Sequence, residues 1–257
     1  MERPPLSYGD YLKIPELLSL QRLRSQPQHH DELLFIVVHQ VYELWFRQIL
    51  HELDASQDAL GKDRVHEATR LLRRVVEIQR LLTQQVRILE TMRPQDFLGF
   101  RALLNPASGF QSVQFRELEF TLGMKDAGIL DALECDEESR ERLRARLESP
   151  SLPDGLDRLL RRRGFPDGEG WRLAALAQVY ENPELHADLN ALAEVLIEID
   201  ECLGLWRAHH IQMVERMIGA KRGTGGSEGV AYLRRTLDKR AFPDLWRVRT
   251  AIGDDPA

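Results

Sequence analysis

One apolar stripe between residues 185 and 217 constrains the fold of this chain more than any other feature. Its positions are separated by alternating steps of four and three residues, which is the spacing of one face of an α-helix. The stripe consists of Leu185, Leu189, Leu192, Leu196, Ile199, Leu203, Trp206, His210, Met213 and Met217. Asn182 followed by Pro183 predicts the start of the helix, and Gly219 predicts its end. The pattern therefore predicts a helix of about ten turns that buries one face in a core.

The rest of the chain favours helices as well. Leu, Arg, Glu, Gln and Ala crowd long segments, and the alternating runs typical of β-strands are missing. After a short amino-terminal arm, helical patterns cover roughly 30–60, 64–92, 94–104 and 112–122. A charged, proline-containing stretch, roughly 125–170, has shorter helical pieces and is compatible with a small inserted cap. We therefore expect one all-α domain, a helical bundle, over residues 1–257.

Two of these helices each place a histidine where an apolar core residue is expected. His210 lies on the stripe described above, whereas His209 lies beside it. In the helix predicted over 30–60, His39 continues a stripe formed by Phe35, Tyr42, Phe46, Ile49 and Leu53. A buried imidazole without a partner costs on the order of 1–3 kcal/mol, and helical bundles build cofactor sites from facing helices. Two interpretations stay open, namely hydrogen-bonded core residues and ligands of a bound cofactor.

The type of cofactor is narrowed by motifs that the sequence lacks. Cys135 and Cys202 are the only cysteines, too few for a thiolate zinc site, and no CxxCH motif is present for covalent haem attachment. A ferritin-like di-metal centre requires Glu three residues before His, and a zincin requires His-Glu-x-x-His; neither pattern occurs. What fits is a non-covalent haem held by one histidine, with the other as a second ligand or a distal group. We predict that Trp206 contacts the cofactor, because it lies on the same stripe as His210.

Composition disfavours several other classes of function. The chain has 257 residues, 43% of them hydrophobic and 30% charged, which is ordinary for a soluble globular protein. Its formal charge of −6 is modest and its charges are interspersed, which disfavours nucleic acids and membrane surfaces as partners. The most apolar run, Leu33 to Val38, is too short to span a bilayer, and the amino terminus lacks an apolar core of signal-peptide length. We therefore expect a cytoplasmic protein.

The segment DFLGFRALLNPASGFQS, residues 96–112, carries a second group of candidates. Phe97, Arg101 and Leu104 are spaced by four and three residues, so they share a helix face, and Ser108 lies in the turn beyond Pro106. An arginine in this position is either a surface residue with its head in solvent or a receptor for a carboxylate, for which guanidinium is the preferred bidentate partner.

The loop KRGTGGSEG comes directly after the helix of His210, which ends about two turns beyond that histidine. Three interpretations apply to it: a helix C-cap with a flexible turn, a phosphate cradle, and a loop that closes over a ligand. The phosphate interpretation is weak because the loop follows a helix rather than a strand and lacks the Gly-Lys-Ser/Thr ending of a P-loop.

Four blocks of the sequence resemble the tryptophan 2,3-dioxygenase family. They are YGDYLKIPELLSLQ, HHDELLFIVVHQVYELWFRQILHELD, RILETMRPQDFLGFRALLNPASGFQSVQFRELEF and WRAHHIQMVERMIGAKRGTGGSEGVAYLRRTL, which cover more than half of the chain in the family's order. The resemblance implies an enzyme with a b-type haem whose ferrous iron binds O2 beside L-tryptophan. Insertion of both oxygen atoms at the indole C2=C3 bond then gives N-formyl-L-kynurenine, a step of tryptophan catabolism by the kynurenine pathway.

The resemblance also implies roles for residues at matching positions. His210 corresponds to the axial ligand of the haem iron, and His39 to the distal histidine that hydrogen-bonds the substrate indole N–H. Arg101 corresponds to the residue that binds the substrate carboxylate, and Thr224 to the residue that contacts its ammonium and carboxylate. Positions around the indole and the haem edge correspond to Phe35, Phe97, Leu104 and Ser108. The segment with Tyr8 and Tyr11 corresponds to the family's amino-terminal arm. In the family's homotetramer, a dimer of dimers, this arm reaches the active site of a neighbouring subunit.

Two features depart from the family's pattern. The stretch from about Glu148 to Glu181 is shorter and more divergent than the family's, and Glu228 stands in the glycine loop where a small residue is expected. One alternative is therefore a related haem oxygenase that acts on a substituted tryptophan, such as a methylated one, in secondary metabolism, with a monooxygenase outcome. Another is a helical bundle that only binds haem for sensing or transport; it would not need Arg101, Thr224 and the two tyrosines together.

Overall fold

The computed structural model of the protein describes residues 6–224 and 229–253, and every regular element in these residues is a helix. The predicted all-α class is therefore confirmed. In chain order the helices are α1 (Tyr8–Leu12), α2 (Ile14–Leu18), α3 (His30–Gly61), α4 (Val65–Leu89), α5 (Pro94–Arg101), α6 (Val113–Thr121), α7 (Gly128–Ala132), α8 (Glu137–Glu148), α9 (Leu152–Arg162), α10 (Trp171–Glu181), α11 (Ala187–Ile218), α12 (Val230–Arg234) and α13 (Pro243–Ala251). Short 3-10 helices, Ala102–Leu104 and Gly109–Gln111, lie between α5 and α6.

Helices α3, α4 and α11 form the core of the bundle, with α4 in the middle. In the described residues α3 and α11 each pack extensively along α4 and far less on each other. The Gln85 side chain donates a hydrogen bond to the Val38 carbonyl at 2.9 Å. Further along, Arg74 Nη1 lies 2.6 Å from Glu52 Oε1. Because the residue number falls on α3 as it rises on α4, the two helices are antiparallel.

Helix α11 runs parallel to α4. Arg80 of α4 pairs with Glu198 of α11, and Glu90 Oε1, just after α4, lies 3.3 Å from His209 Nε2. The residue numbers thus rise together along both helices. As a result, the turns of α3 near residue 39 and of α11 near residue 210 lie at the same end of the bundle, beside the last turns of α4.

The predicted stripes form the buried faces of α3 and α11, with one correction at the start of α11. That helix begins at Ala187 and not at Asn182–Pro183. The Asn182 side chain donates to the Gln178 carbonyl at 3.1 Å, so it caps the end of α10 instead of starting α11. Leu185 consequently lies in a turn with 77% of its surface exposed. The predicted end is correct, because Gly219 closes α11 with φ +59°, a conformation that favours glycine.

The charged stretch 125–170 folds into α7, α8, α9 and the loops around them. Leu152 and Leu159 of α9 are fully buried in the main core, where α9 packs on α3. Leu143 of α8 and Leu133 after α7 instead form a smaller cluster with Phe120 of α6. The shorter predicted helices are present, and the assignment of 1–257 to a single domain stays a prediction.

The carboxyl-terminal helices were not predicted from the sequence. They are tied to α11 by the buried carboxylate of Asp200, which is 1% exposed. This carboxylate accepts hydrogen bonds from the backbone N–H of Ala241 at 2.9 Å and of Phe242 at 3.3 Å, and from Trp246 Nε1 at 2.9 Å. A buried charge with three donors is well satisfied, so α13 is held firmly against the helix that carries His210.

The amino-terminal arm is poorly covered by the rest of the chain. Neither α1 nor α2 has a buried residue, and Tyr8 and Tyr11 are 77% and 71% exposed.

Helix α3 is long and apolar enough to cross a membrane by length and composition, a test that core helices of soluble proteins also pass. Its inner face packs on α4, α6 and α9, while Leu33, Val37 and Leu44 on its outer face are exposed.

Candidate active site

His210 of α11 is partly buried and lies against the indole ring of Trp206, one turn earlier on the same helix. The two rings are stacked, with centroids 5.2 Å apart and an angle of 10° between their planes. Burial, with smaller contributions from His39 and His209, lowers the pKa of His210 from 6.5 to about 4. The imidazole is therefore neutral at physiological pH, which is the form that can ligate a metal. Among the described residues no three His, Cys, Asp or Glu side chains converge on a metal position.

His39 of α3 lies close enough to His210 for a charge on it to lower the pKa of His210. Its Nδ1 lies 2.7 Å from the Phe35 carbonyl, which only accepts, so Nδ1 carries the hydrogen. Burial lowers the pKa of His39, and this outweighs the opposing effects of the Phe35 carbonyl and of Glu43. The neutral ring therefore presents Nε2 as a hydrogen-bond acceptor.

Aromatic rings line the space beside His39. The Phe35 ring lies 4.1 Å from the His39 ring and 5.6 Å from the ring of Phe97 on α5. Phe100 meets both phenylalanines edge-on and is fully buried. Sequence reasoning missed Phe100, although its spacing of three residues from Phe97 and four from Leu104 places it on the apolar face of α5.

A second group of aromatic rings packs around Trp206, the residue whose ring is stacked on His210. The Trp206 ring meets Phe115 of α6 at 5.3 Å and Tyr42 of α3 at 6.2 Å. The Tyr42 hydroxyl donates to the Leu82 carbonyl at 2.8 Å, which anchors this ring on α4. Phe115 was not predicted as a site residue, and its place beside Trp206 depends on how α6 packs in the folded chain.

Two buried polar atoms at the site have no hydrogen-bond partner among the described residues, Ser108 Oγ and Trp206 Nε1. The Gln111 N–H lies near the Ser108 hydroxyl in the arrangement of a capping box, but it donates to the Ser108 carbonyl at 3.0 Å. An unpaired buried polar atom costs about 1–3 kcal/mol, so each of these atoms is suited to pair with a polar group bound beside it. A haem, with apolar faces and polar carboxylates, fits the two imidazoles, the aromatic walls and these two atoms.

Ion pairs hold the backbone around His210. Arg207, one turn before His210, is 4% exposed and donates to Glu119 Oε1 at 2.7 Å. Arg116 donates to Glu119 Oε2 at 2.6 Å and reaches the Phe110 carbonyl, two residues after Ser108, at 3.4 Å. One carboxylate thus joins α6, α11 and the turn of Ser108, and sequence reasoning had no signal for this long-range network.

Arg101 and Thr224 meet where the glycine loop begins. Arg101, at the end of α5, donates to the Arg222 carbonyl, and the Thr224 hydroxyl donates to the Ala107 carbonyl at 2.6 Å. Leu104, which lies between Arg101 and Ala107 in the sequence, packs against the main core. The structure therefore brings residues 222–224 against the segment 101–107.

The two ends of the glycine loop are drawn together at Gly229. Its φ is +62°, and a Cβ there would lie 2.7 Å from the Lys221 carbonyl oxygen, so only glycine fits. Residues 225–228, and with them Glu228, lie outside the described residues.

Other candidates lie away from this space. Tyr8 and Tyr11 are on the exposed arm, and His209 pairs with Glu90 at 3.3 Å. A surface cleft of about 290 Å3 is lined mainly by charged side chains and includes no predicted site residue. Its lining consists of Lys125, Glu148, Ser149, Pro150, Asp154, Asp157, Arg158 and Arg161.

Comparison with known proteins identifies the family of the chain. A family model described as tryptophan 2,3-dioxygenase matches residues 1–167 and 168–252, and the break falls inside the stretch 148–181 that was expected to diverge. A tryptophan 2,3-dioxygenase from Nocardioides sp. is 50% identical over 96% of this chain and 95% of its own length. Those from Serratia proteamaculans and Bacillus cereus are 42% and 43% identical, each over 96% of this chain and over 94% and 93% of their own lengths. The chain belongs to the tryptophan 2,3-dioxygenase family.

Proposed function

We propose that this protein is a haem-dependent dioxygenase that cleaves the indole C2=C3 bond of L-tryptophan with O2 and releases N-formyl-L-kynurenine. The family match and the names of its relatives support the reaction and the substrate, and they favour an enzyme over a protein that only binds haem. The observation that supports the site assignment is the pair of partly buried imidazoles, His39 and His210, which lie near one another beside aromatic rings and whose pKa values are lowered by burial.

The haem would be held by His210 as the axial ligand, with Trp206 against that imidazole and Ser108 at its edge. A neutral imidazole is the ligand that haem iron takes from histidine, and the polar atoms of Ser108 and Trp206 are free to pair with the haem carboxylates. When bound in its ferrous form, haem b supplies the activation of O2, which no amino-acid side chain provides. The side chains then supply binding, orientation and exclusion of water.

His39 would orient the indole and not ligate iron. Its Nδ1 hydrogen is engaged by the Phe35 carbonyl, so its free Nε2 matches the single hydrogen-bond donor of the indole ring. Phe35, Phe97 and Leu104 would enclose the apolar part of the ring.

Arg101 and Thr224 would hold the amino-acid end of the substrate. In the described structure each donates to a backbone carbonyl, of Arg222 and Ala107 respectively. A substrate carboxylate is a stronger acceptor than a carbonyl, since charge-assisted hydrogen bonds are roughly twice as strong as neutral ones. Binding would therefore exchange these contacts for contacts with the substrate and bring residues 222–224 over it.

The protein would work as a cytoplasmic homotetramer in which Tyr8 and Tyr11 reach the active site of a neighbouring subunit. Support comes from the arm, in which α1 and α2 bury no residue on their own chain, and from the exposed apolar side chains Leu33, Val37 and Leu44 on α3. Apolar surface of this extent is typical of a contact between subunits.

The test is a single-turnover experiment on the haem-loaded protein. The ferrous enzyme is mixed anaerobically with L-tryptophan, O2 is added, and the absorbance of N-formylkynurenine is followed, with D-tryptophan as the matched control. Product from L-tryptophan is the expected result. Absence of product from L-tryptophan, together with turnover of a methylated tryptophan, would overturn the substrate assignment in favour of a substituted substrate.

A further inference from the structure

The root of the amino-terminal arm, residues 20–25, lies along α3 and is attached to it at two points. At the first point Gln40, next to His39, donates to the Leu20 carbonyl at 3.3 Å and accepts a hydrogen bond from the Gln21 side chain at 2.6 Å. At the second point Glu32 binds residues 24 and 25. Gln40 and Glu32 are eight residues apart on α3, and the turns between them carry Phe35 and His39.

Glu32 is a buried carboxylate whose hydrogen bonds go to the arm root. It is 2% exposed and accepts from the backbone N–H of Arg24 at 2.7 Å and of Ser25 at 3.0 Å, and from the Ser25 hydroxyl. Ser25, also 2% exposed, accepts in turn from the His29 N–H at 2.8 Å. Because a buried charge is tolerated only when it is hydrogen-bonded, these contacts fix the backbone of residues 24 and 25.

The chain just after the arm root touches α5, the helix of Phe97 and Arg101. The His29 ring packs directly on Gly99, where a Cβ would lie 2.5 Å from His29 Cε1, and its centroid lies 6.1 Å from the Phe100 ring. The arm root, the Phe35–His39 turns of α3 and α5 thus form one packed unit at the wall of the active site.

We propose that Glu32 and Gln40 are positioning residues, a two-point clamp that sets the direction of the arm and so delivers Tyr8 and Tyr11 to the neighbouring subunit's site. The proposal rests on the proposed function for the destination of the arm. Its physical basis is that α1 and α2 bury no residue among the described parts of the chain, so residues 8–18 are held less tightly than the arm root. A tethered group reaches its target at a high effective concentration only when the tether points there.

The test compares Glu32→Gln with Glu52→Gln in the haem-loaded oligomer. Glu52 is a matched control, because it is a carboxylate of α3 that is also 2% exposed but binds Gln48 and Arg74, far from the arm. The Glu32→Gln amide cannot accept from all three donors. We expect hydrogen exchange in residues 6–29 to speed up and KM for L-tryptophan to rise about tenfold, the effect of losing one buried hydrogen bond, with kcat within about twofold. Glu52→Gln should leave both exchange in the arm and KM as in the wild type.

A second variant, Gln40→Ala, covers the case in which Glu32→Gln does not fold, since Gln40 is only partly buried. Light scattering checks that the oligomer is intact in each variant. The proposal is overturned if the arm exchanges as in the wild type, if exchange rises while KM does not, or if Glu52→Gln raises KM to the same extent. A wild-type enzyme without turnover of L-tryptophan would instead reject the proposed function, and exchange in the arm would still decide whether the clamp exists.

Discussion

Replacement of His39 by alanine tests the orientation of the indole most directly. The Phe35 carbonyl fixes the His39 tautomer, so Nε2 is the acceptor lost in His39→Ala. The net loss of a hydrogen bond is about 1 kcal/mol, and an indole N–H left buried without a partner brings the total to as much as about 3 kcal/mol. We therefore expect kcat/KM for L-tryptophan to fall by about fivefold to a hundredfold, at about 1.4 kcal/mol for each factor of ten.

The assay compares L-tryptophan with 1-methyl-L-tryptophan, whose ring nitrogen has no hydrogen to donate. For the methylated substrate the variant should lose less than about threefold, because no hydrogen bond is removed. An equal loss for both substrates would refute the assigned role of His39. The pH dependence gives a second check, because burial lowers the pKa of His39 below 6.5 and the protonated ring has no acceptor at Nε2. In the wild type kcat/KM should thus fall as the ring becomes protonated, with the midpoint of that fall below pH 6.5.

Three further predictions concern the haem, the substrate and the fold. His210→Ala should abolish the Soret band of the haem-reconstituted protein, whereas His209→Ala should keep it, as absorption spectra will show. Arg101→Ala should raise KM for L-tryptophan by about a hundredfold, the cost of a lost charged hydrogen bond, and leave KM for tryptamine, which has no carboxylate, unchanged in steady-state assays. Glu119→Ala leaves Arg116 and Arg207 buried without their carboxylate and should lower the free energy of unfolding by about 3–5 kcal/mol in urea titrations, with Glu137→Ala on the exposed surface as the neutral control.

Periodicity predicted the long helices well because the bundle buries one stripe of each. His39 and His210 were placed correctly on inward faces, since a residue's face depends only on its spacing from its apolar neighbours. The start of α11 was predicted wrongly for a physical reason: the Asn182 side chain can cap the helix before it or the helix after it, and here it binds the Gln178 carbonyl. A sequence pattern does not distinguish these two uses.

The contacts that complete the site depend on segments far apart in the chain. The hydrogen bonds of Arg101 with residue 222 and of Thr224 with residue 107 join positions more than a hundred residues apart, so no local pattern predicts them. The tautomer of His39 and the unpaired atoms of Ser108 and Trp206 likewise follow from the folded geometry. The resemblance to a known family singled out these residues, and the structure adds the hydrogen-bonding state of each.

Helix α4 contributes no proposed ligand and no proposed substrate contact, yet α3 and α11 both pack along it. The relative position of His39 and His210 therefore depends on the core side chains of α4 on which both helices rest. Enlarging or trimming those side chains near Leu82 and Val86 would shift α3 against α11 while leaving the proposed site residues unchanged. Substitutions in the core of α4 are therefore a route to admitting a bulkier indole, or a different macrocycle, without replacing the proposed site residues.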